Sequence, residues 1–180
     1  MKKFKYNHKD VFIFRDKLLI SREKTFKILK EYINSKSFIN TDTFLVISFN
    51  YPGLPKLNFN FIRSLRYLID FFESFFFINN IISYKLIISF SGPQLIIKIN
   101  KPAILLKKIC YNIETQCRFF DIDVYTNENI ISSNILGFEE KKCIICGCKI
   151  SRCRIKNKHP KRQIRKRINF LIKEFCNKFI

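Results

Sequence analysis

The sequence predicts a protein of the α/β class, α+β in type: a mixed β-sheet with helices packed on it, then a small C-terminal Cys/His knuckle and a last helix. Three observations carry this. Short β-branched and aromatic runs alternate with longer stretches whose apolar residues recur every three or four positions, the patterns of strands and amphipathic helices. Their order (helix, strand, helix, strand, strand, helix, strand) suits a sheet covered by helices. Beyond the last strand, four of the seven cysteines crowd into Cys143 to Cys153.

The first helix is predicted over 16–33, where Leu19, Arg22, Phe26, Leu29 and Ile33 share one face. Arg22 interrupts that stripe; it is either bound to an anion or partner, as a buried guanidinium must be, or it snorkels to water. Thr43 to Asn50 (TFLVISFN) reads as a strand and runs into the stiff loop Tyr51-Pro52-Gly53-Leu54-Pro55-Lys56. A second helix is expected over 58–76, with Ile62, Leu65, Ile69 and Phe72 inward. Strands over 84–90 and 95–99 flank a hairpin-type turn at Ser91-Gly92-Pro93-Gln94. Asn100 can cap a third helix that opens near Pro102 and reaches about Ile113. A strand from Arg118 to Tyr125 follows, then a turn at 127–129 and an irregular stretch over 138–160. A final helix over 160–179 aligns Ile164, Ile168, Leu171 and Phe175.

The 180 residues suit one domain, here divided into 1–137 and a Cys/His module with its helix, 138–180, packed on the same domain. With 34 Lys and Arg against 14 Asp and Glu, the formal charge is +20, a field that attracts polyanions and acidic proteins. The abundance of Lys, Asn, Ile and Phe, all with A/T-rich codons, accounts for much of the excess without any nucleic-acid role. The densest basic run is Lys156 to Arg167. Neither a secretory signal nor a membrane-length apolar stretch is evident, so a soluble, cytoplasmic protein is expected.

Phe119-Phe120-Asp121-Ile122-Asp123-Val124 is the most informative segment. On a strand, Asp121 and Asp123 share a face. Two carboxylates so close repel unless a cation lies between them, and Mg²⁺ is the natural occupant at a site of phosphoryl or nucleotidyl transfer. Paired acids on a solvated strand face are the plainer reading. The scarcity of acids in this chain, and the apolar strand around these two, favour the first. Alternation sets Arg118 on the opposite face from the two aspartates.

The tail reads Cys143-x₂-Cys146-x₆-Cys153-x₅-His159, with Cys148 as an extra thiol. Three thiolates and an imidazole satisfy tetrahedral, structural Zn²⁺. Reduced cysteines that bind nothing fit the same spacing. The odd cysteine count and local clustering argue against a disulfide framework.

Taken in order, these segments resemble the holo-[acyl-carrier-protein] synthase of citrate lyase, the apo-citrate lyase phosphoribosyl-dephospho-CoA transferase family. Leu18-Leu19-Ile20-Ser21-Arg22-Glu23 is similar to its "LL-x-SRE" element. Val46-Ile47-Ser48-Phe49 with Pro52-Gly53 and Lys56 resembles its "VSFT…PGPxK" segment, and Ser91 to Gln94 its "SGPE" turn. Arg118 to Val124 matches its "R-L-[FW]-DIDV" signature, and Leu136-Gly137, Cys143, Cys146, Cys153 and His159 match its tail. The likeness covers nearly the whole chain.

The resemblance implies a nucleotidyltransferase-like catalytic part over 1–137. It implies transfer of the phosphoribosyl-dephospho-CoA group from triphosphoribosyl-dephospho-CoA to a serine of the apo acyl carrier protein, the citrate lyase γ subunit, with release of pyrophosphate. Asp121 and Asp123 would be catalytic and hold Mg²⁺; Arg22, Lys56 and Arg118 would neutralise phosphate; Gly92 would let backbone approach the donor. The resemblance does not name the general base, for which an unliganded oxygen of either aspartate is a candidate. Where the family has a "HPLG"-like run, this chain has Glu114-Thr115-Gln116-Cys117, and it lacks family basic residues near Thr25 and Ser133, departures that bear on donor binding. Two alternatives stand beside this reading. One is the same chemistry on the malonate decarboxylase carrier protein. The other is a non-catalytic zinc knuckle that binds nucleic acid through 156–167, which requires exposed aromatics where most here face a core.

Overall fold

The computed structural model describes residues 42–53, 59–76, 81–89, 92–126 and 129–179, with six further helical positions between 20 and 31. Strand β1 (Asp42–Phe49) leads to helix α1 (Phe59–Phe76), then to a hairpin of β2 (Ile81–Ser89) and β3 (Gly92–Asn100). Helix α2 (Ala103–Gln116), β4 (Phe120–Tyr125) and the short β5 (Ile130–Ile131) follow. A 3₁₀ turn at Asn134–Leu136 precedes the six-residue helix α3 (Ile150–Ile155) and the long α4 (Lys161–Phe179). No helix among the described residues is long and apolar enough to cross a membrane.

The strands lie in the order β2-β3-β1-β4-β5, and every neighbouring pair is antiparallel. The expected mixed sheet is therefore corrected to an antiparallel one. Helix α1 joins β1 to β2, which run the same way, but β3 lies between them; α2 joins β3 to β4 around β1 in the same manner. This is a split βαβ, ferredoxin-like arrangement, in which each helical crossover skips a strand. Parallel strands exist but never touch, and element order alone does not reveal that.

Alternation divides the sheet into two faces. Leu45, Ile47 and Phe49 of β1, Leu95, Ile97 and Ile99 of β3, and Phe120, Ile122 and Val124 of β4 form the larger core. Residues of α1, α2 and α4 cover it, among them Leu65, Phe72, Leu106, Ile168, Ile172 and Phe175. The other face carries a small cluster of Phe44, Val46, Ile87 and Ile96, against which Ile28 and Tyr125 pack. The aspartates of β4 lie on this second face.

Several predicted details shift. Leu65, Ile69 and Phe72 of α1 are buried as expected, but Phe61 takes the place foreseen for Ile62, because its ring stacks on Phe49 at 4.3 Å. Asn100 stays in β3, paired with Asp42, and so does not cap α2. Pro102 occupies the cap position instead, its carbonyl accepting the Leu106 N–H at 3.1 Å. The β2–β3 ladder runs to Ser89 and Gly92, so Gly92, Pro93 and Gln94 of the predicted turn lie inside β3. Pro93 lies beyond the part of β3 that pairs with β1, where its missing N–H interrupts no central ladder. The stretch read as irregular contains α3.

Candidate active site and metal centre

Strand β4 buries Phe120, Ile122 and Val124 and leaves Asp121 and Asp123 exposed on the face away from the main core. The β1 register sets Ser48 beside Asp121 and Val46 beside Asp123. On its other side β4 pairs with β5 only at Val124 and Tyr125, so Ile122 needs partners from elsewhere. Helix α2 supplies them. The Ile122 N–H donates to Glu114 Oε1 at 3.0 Å, and Lys107 Nζ donates to the Ile122 carbonyl at 3.2 Å. Lys107 and Glu114 lie seven residues apart, two turns along one face of α2, and both are buried. Lys141 completes the arrangement: its ammonium pairs with Glu114 Oε1 and stands 3.8 Å from Asp121 Oδ1. The central residue of Asp-Ile-Asp is thus clamped through its backbone, while the carboxylates on either side stay open.

Burial pushes the Asp123 carboxyl above its usual range, and the neighbouring Asp121 charge adds to the shift, against Lys107 and Lys141. A divalent cation would relieve that repulsion, and a donor set of two carboxylates suits Mg²⁺.

Asp121 lines a cleft of about 540 Å³ at the end of the sheet. One wall is the end of β1 and the following turn, from Ser48 to Pro52; another is Gly92, Pro93 and Gln94. The third comes from the C-terminal region, with Cys143, Cys153 and His159 beside the cations Arg154 and Lys161. Gly92 has φ 109°, a conformation natural to glycine, and its bare backbone borders the cleft. Arg165 of α4 fastens the facing turn by donating from Nε to the Pro52 carbonyl at 2.6 Å.

The second feature is a cluster of Cys143, Cys146, Cys153 and His159, whose ligand atoms all lie within 4.8 Å of one another. Cys146 Sγ is 3.4 Å from Cys153 Sγ and 3.2 Å from His159 Nε2. Tetrahedral Zn–S bonds place sulfurs roughly 3.8 Å apart, so small adjustments would admit the ion. A tight turn presents the first pair: the Cys143 N–H donates to the Cys148 carbonyl at 2.7 Å, and Gly147 adopts φ 71°. Hydrogen bonding, first from the Cys148 backbone and then from His159 and Cys153, lowers the Cys146 thiol to about 6. Burial raises Cys153 to about 12. Cys148 is not part of the cluster, as its reading as an extra thiol anticipates.

Among the other sequence-predicted residues, Arg22 and Lys56 lie outside the described residues. Arg118 precedes β4 and is half-buried; its Nη2 donates to the Lys142 carbonyl at 2.5 Å, tying the start of β4 to the Cys loop. It does not line the cleft, and neither does Asp123. Sequence reasoning missed Lys107, Glu114 and Lys141, which support β4, and Ser48, Arg154 and Lys161, which face the cleft. Of these, Lys161 falls in the basic run from Lys156 to Arg167, and Ser48 and Glu114 fall in segments compared with the family pattern.

A comparison with curated proteins gives no match to this chain. The family of apo-citrate lyase phosphoribosyl-dephospho-CoA transferases matches residues 13–175, a span that takes in β1, both aspartates and the whole Cys/His cluster. The chain belongs to that family of transferases, which attach the phosphoribosyl-dephospho-CoA prosthetic group to the apo carrier protein of citrate lyase.

Proposed function

We propose that the cleft beside Asp121 receives the triphosphate end of triphosphoribosyl-dephospho-CoA and that Asp121 and Asp123 are the catalytic pair. One observation carries the reading: Asp121, the bare backbone of Gly92 and the cations Arg154 and Lys161 border one cavity. A polyphosphate needs those three things together, namely a carboxylate for its metal, backbone at close approach and positive charge.

In this reading the serine hydroxyl of the apo carrier protein attacks the phosphorus next to the ribose. A serine O–P bond forms, the bond to the outer two phosphates breaks, and pyrophosphate departs with the electron pair. The serine proton passes to an unliganded carboxylate oxygen of the aspartate pair. Arg154 and Lys161 orient and neutralise the departing phosphates, while Arg22 and Lys56 are assigned to phosphate charge around the donor and Arg118 ties β4 to the Cys loop. Mg²⁺, held by Asp121 and Asp123, would supply further neutralisation of the triphosphate. Residues 1–137 carry the reaction in this assignment. Residues 138–180 supply one cleft wall, which structural Zn²⁺ on Cys143, Cys146, Cys153 and His159 would hold in shape.

The test is mass spectrometry of apo carrier protein incubated with donor, Mg²⁺ and this chain. The expected result is one added phosphoribosyl-dephospho-CoA mass on a serine and an equal amount of pyrophosphate. Asp121→Asn and Asp123→Asn should each slow transfer by roughly 100-fold or more, the scale for removing a preorganised charge from a transition state. Neither side chain belongs to the main core, so both variants should still fold cooperatively, which thermal melting checks. Full transfer by both variants would refute the assignment.

A further inference from the structure

From Lys141 to Lys173 the chain contains 13 Lys and Arg and no Asp or Glu. The cleft uses only part of this charge. Beside it lies a second, shallow groove of about 410 Å³, lined by Ile144, Ile145, Gln163, Lys166, Arg167 and Phe170. Its floor is apolar, and half of the Phe170 surface is exposed. The Arg167 guanidinium sits 5.4 Å from the centre of the Phe170 ring, a cation over an aromatic face. Ile144 lines both this groove and the cleft, so the two share a wall.

We infer that this groove, between the Cys loop and α4, is the docking site for the acidic acceptor carrier protein. An apolar centre with a positive rim is the complement of a protein surface that sets apolar residues among carboxylates. Charge complementarity selects such a partner, and a reaction on a protein acceptor requires one. Position argues the same way: a protein seated over Phe170 and Ile144 has the cleft at its border, where its serine must arrive. The choice of partner rests on the reaction proposed above; the groove itself does not.

The test measures binding and chemistry separately. Apo carrier protein is titrated against the chain without donor, and transfer kinetics are recorded with donor. Lys166→Glu/Arg167→Glu should weaken carrier binding and raise the carrier KM by about tenfold, with kcat and the donor KM unchanged. Lys173→Glu/Lys178→Glu applies the same charge change to exposed positions of α4 outside the groove lining, and should alter neither. Circular dichroism melting checks that both variants fold. Phe170→Ala should weaken binding without any change of charge. An unaltered carrier KM in the groove variant, beside active transfer, overturns the docking site while leaving the reaction intact. Groove-dependent carrier binding by a chain that transfers nothing sustains the docking site and removes the reaction. Single-stranded RNA bound at the groove and not displaced by carrier protein also overturns the inference.

Discussion

Replacing Glu114 by Ala would leave the Ile122 N–H without its acceptor and would leave the Lys141 ammonium with Asp121 as its remaining carboxylate partner. Glu114 is 1% exposed, so water cannot substitute. Leaving a buried N–H unsatisfied costs about 1–3 kcal/mol, and urea unfolding should show a loss on that scale. Glu114→Gln keeps an oxygen for the Ile122 N–H and should lose less. If Glu114→Ala costs under about 1 kcal/mol, as a surface pair would, the clamp does not hold β4. The common face of Asp121 and Asp123 was legible because they are two residues apart on one strand, and strand geometry alone puts them on one face. Glu114 was visible only as a departure from a family pattern. Its role depends on α2 delivering Lys107 and Glu114 to the same backbone unit, and on Lys141 arriving from beyond β5. Ser48 reaches Asp121 only through the β1–β4 register, which no local pattern encodes.

At the scale of elements, the Cys/His segment has little core of its own. Helix α3 has six residues, too few to be stable alone, since isolated helices need roughly 12–15. Of its side chains only Cys153 is buried. With the chain purified under reducing conditions, elemental analysis should find one zinc per chain. Chelation should then raise hydrogen exchange across 143–159, while β1, β3 and β4 keep their protection. Equal protection with and without chelator would show that no ion holds the segment. The same shortness explains why α3 was read as irregular: one and a half turns give periodicity too little length to register. The long elements were legible for the opposite reason. Helix α4 repeats its apolar residues over five turns, and β1 is a run of eight with few polar breaks. Where prediction slipped, a neighbour decided: Phe49 drew Phe61 rather than Ile62 into the core, and Asp42 held Asn100 in the sheet.

For the molecule as a whole, the division into a reacting part and a Cys/His part does not imply that the first folds alone. Helix α4 lies at the far end of the chain, yet Ile168, Ile172, Phe175 and Cys176 are buried in the same core as β1, β3 and β4. Phe175 stands edge-on to both Phe119 and Phe120, at 5.4 and 5.8 Å, beneath the strand that carries the aspartates. Burying a large apolar side chain contributes about 1.5–3 kcal/mol, so these two isoleucines and one phenylalanine supply roughly 5–9 kcal/mol. That rivals the roughly 5–15 kcal/mol by which a domain of this size is stable. Ending the chain after residue 160 leaves both aspartates and the four Cys/His ligands in place but removes Lys161 and uncovers Phe119 and Phe120. The expected outcome is loss of a cooperative thermal transition and exposure of apolar surface to a hydrophobic dye. Addition of a peptide spanning 161–179 should restore some of the transition. A truncated chain that melts cooperatively near the parent temperature would mean that α4 only lies against a core already complete, and that Phe175 does not support β4.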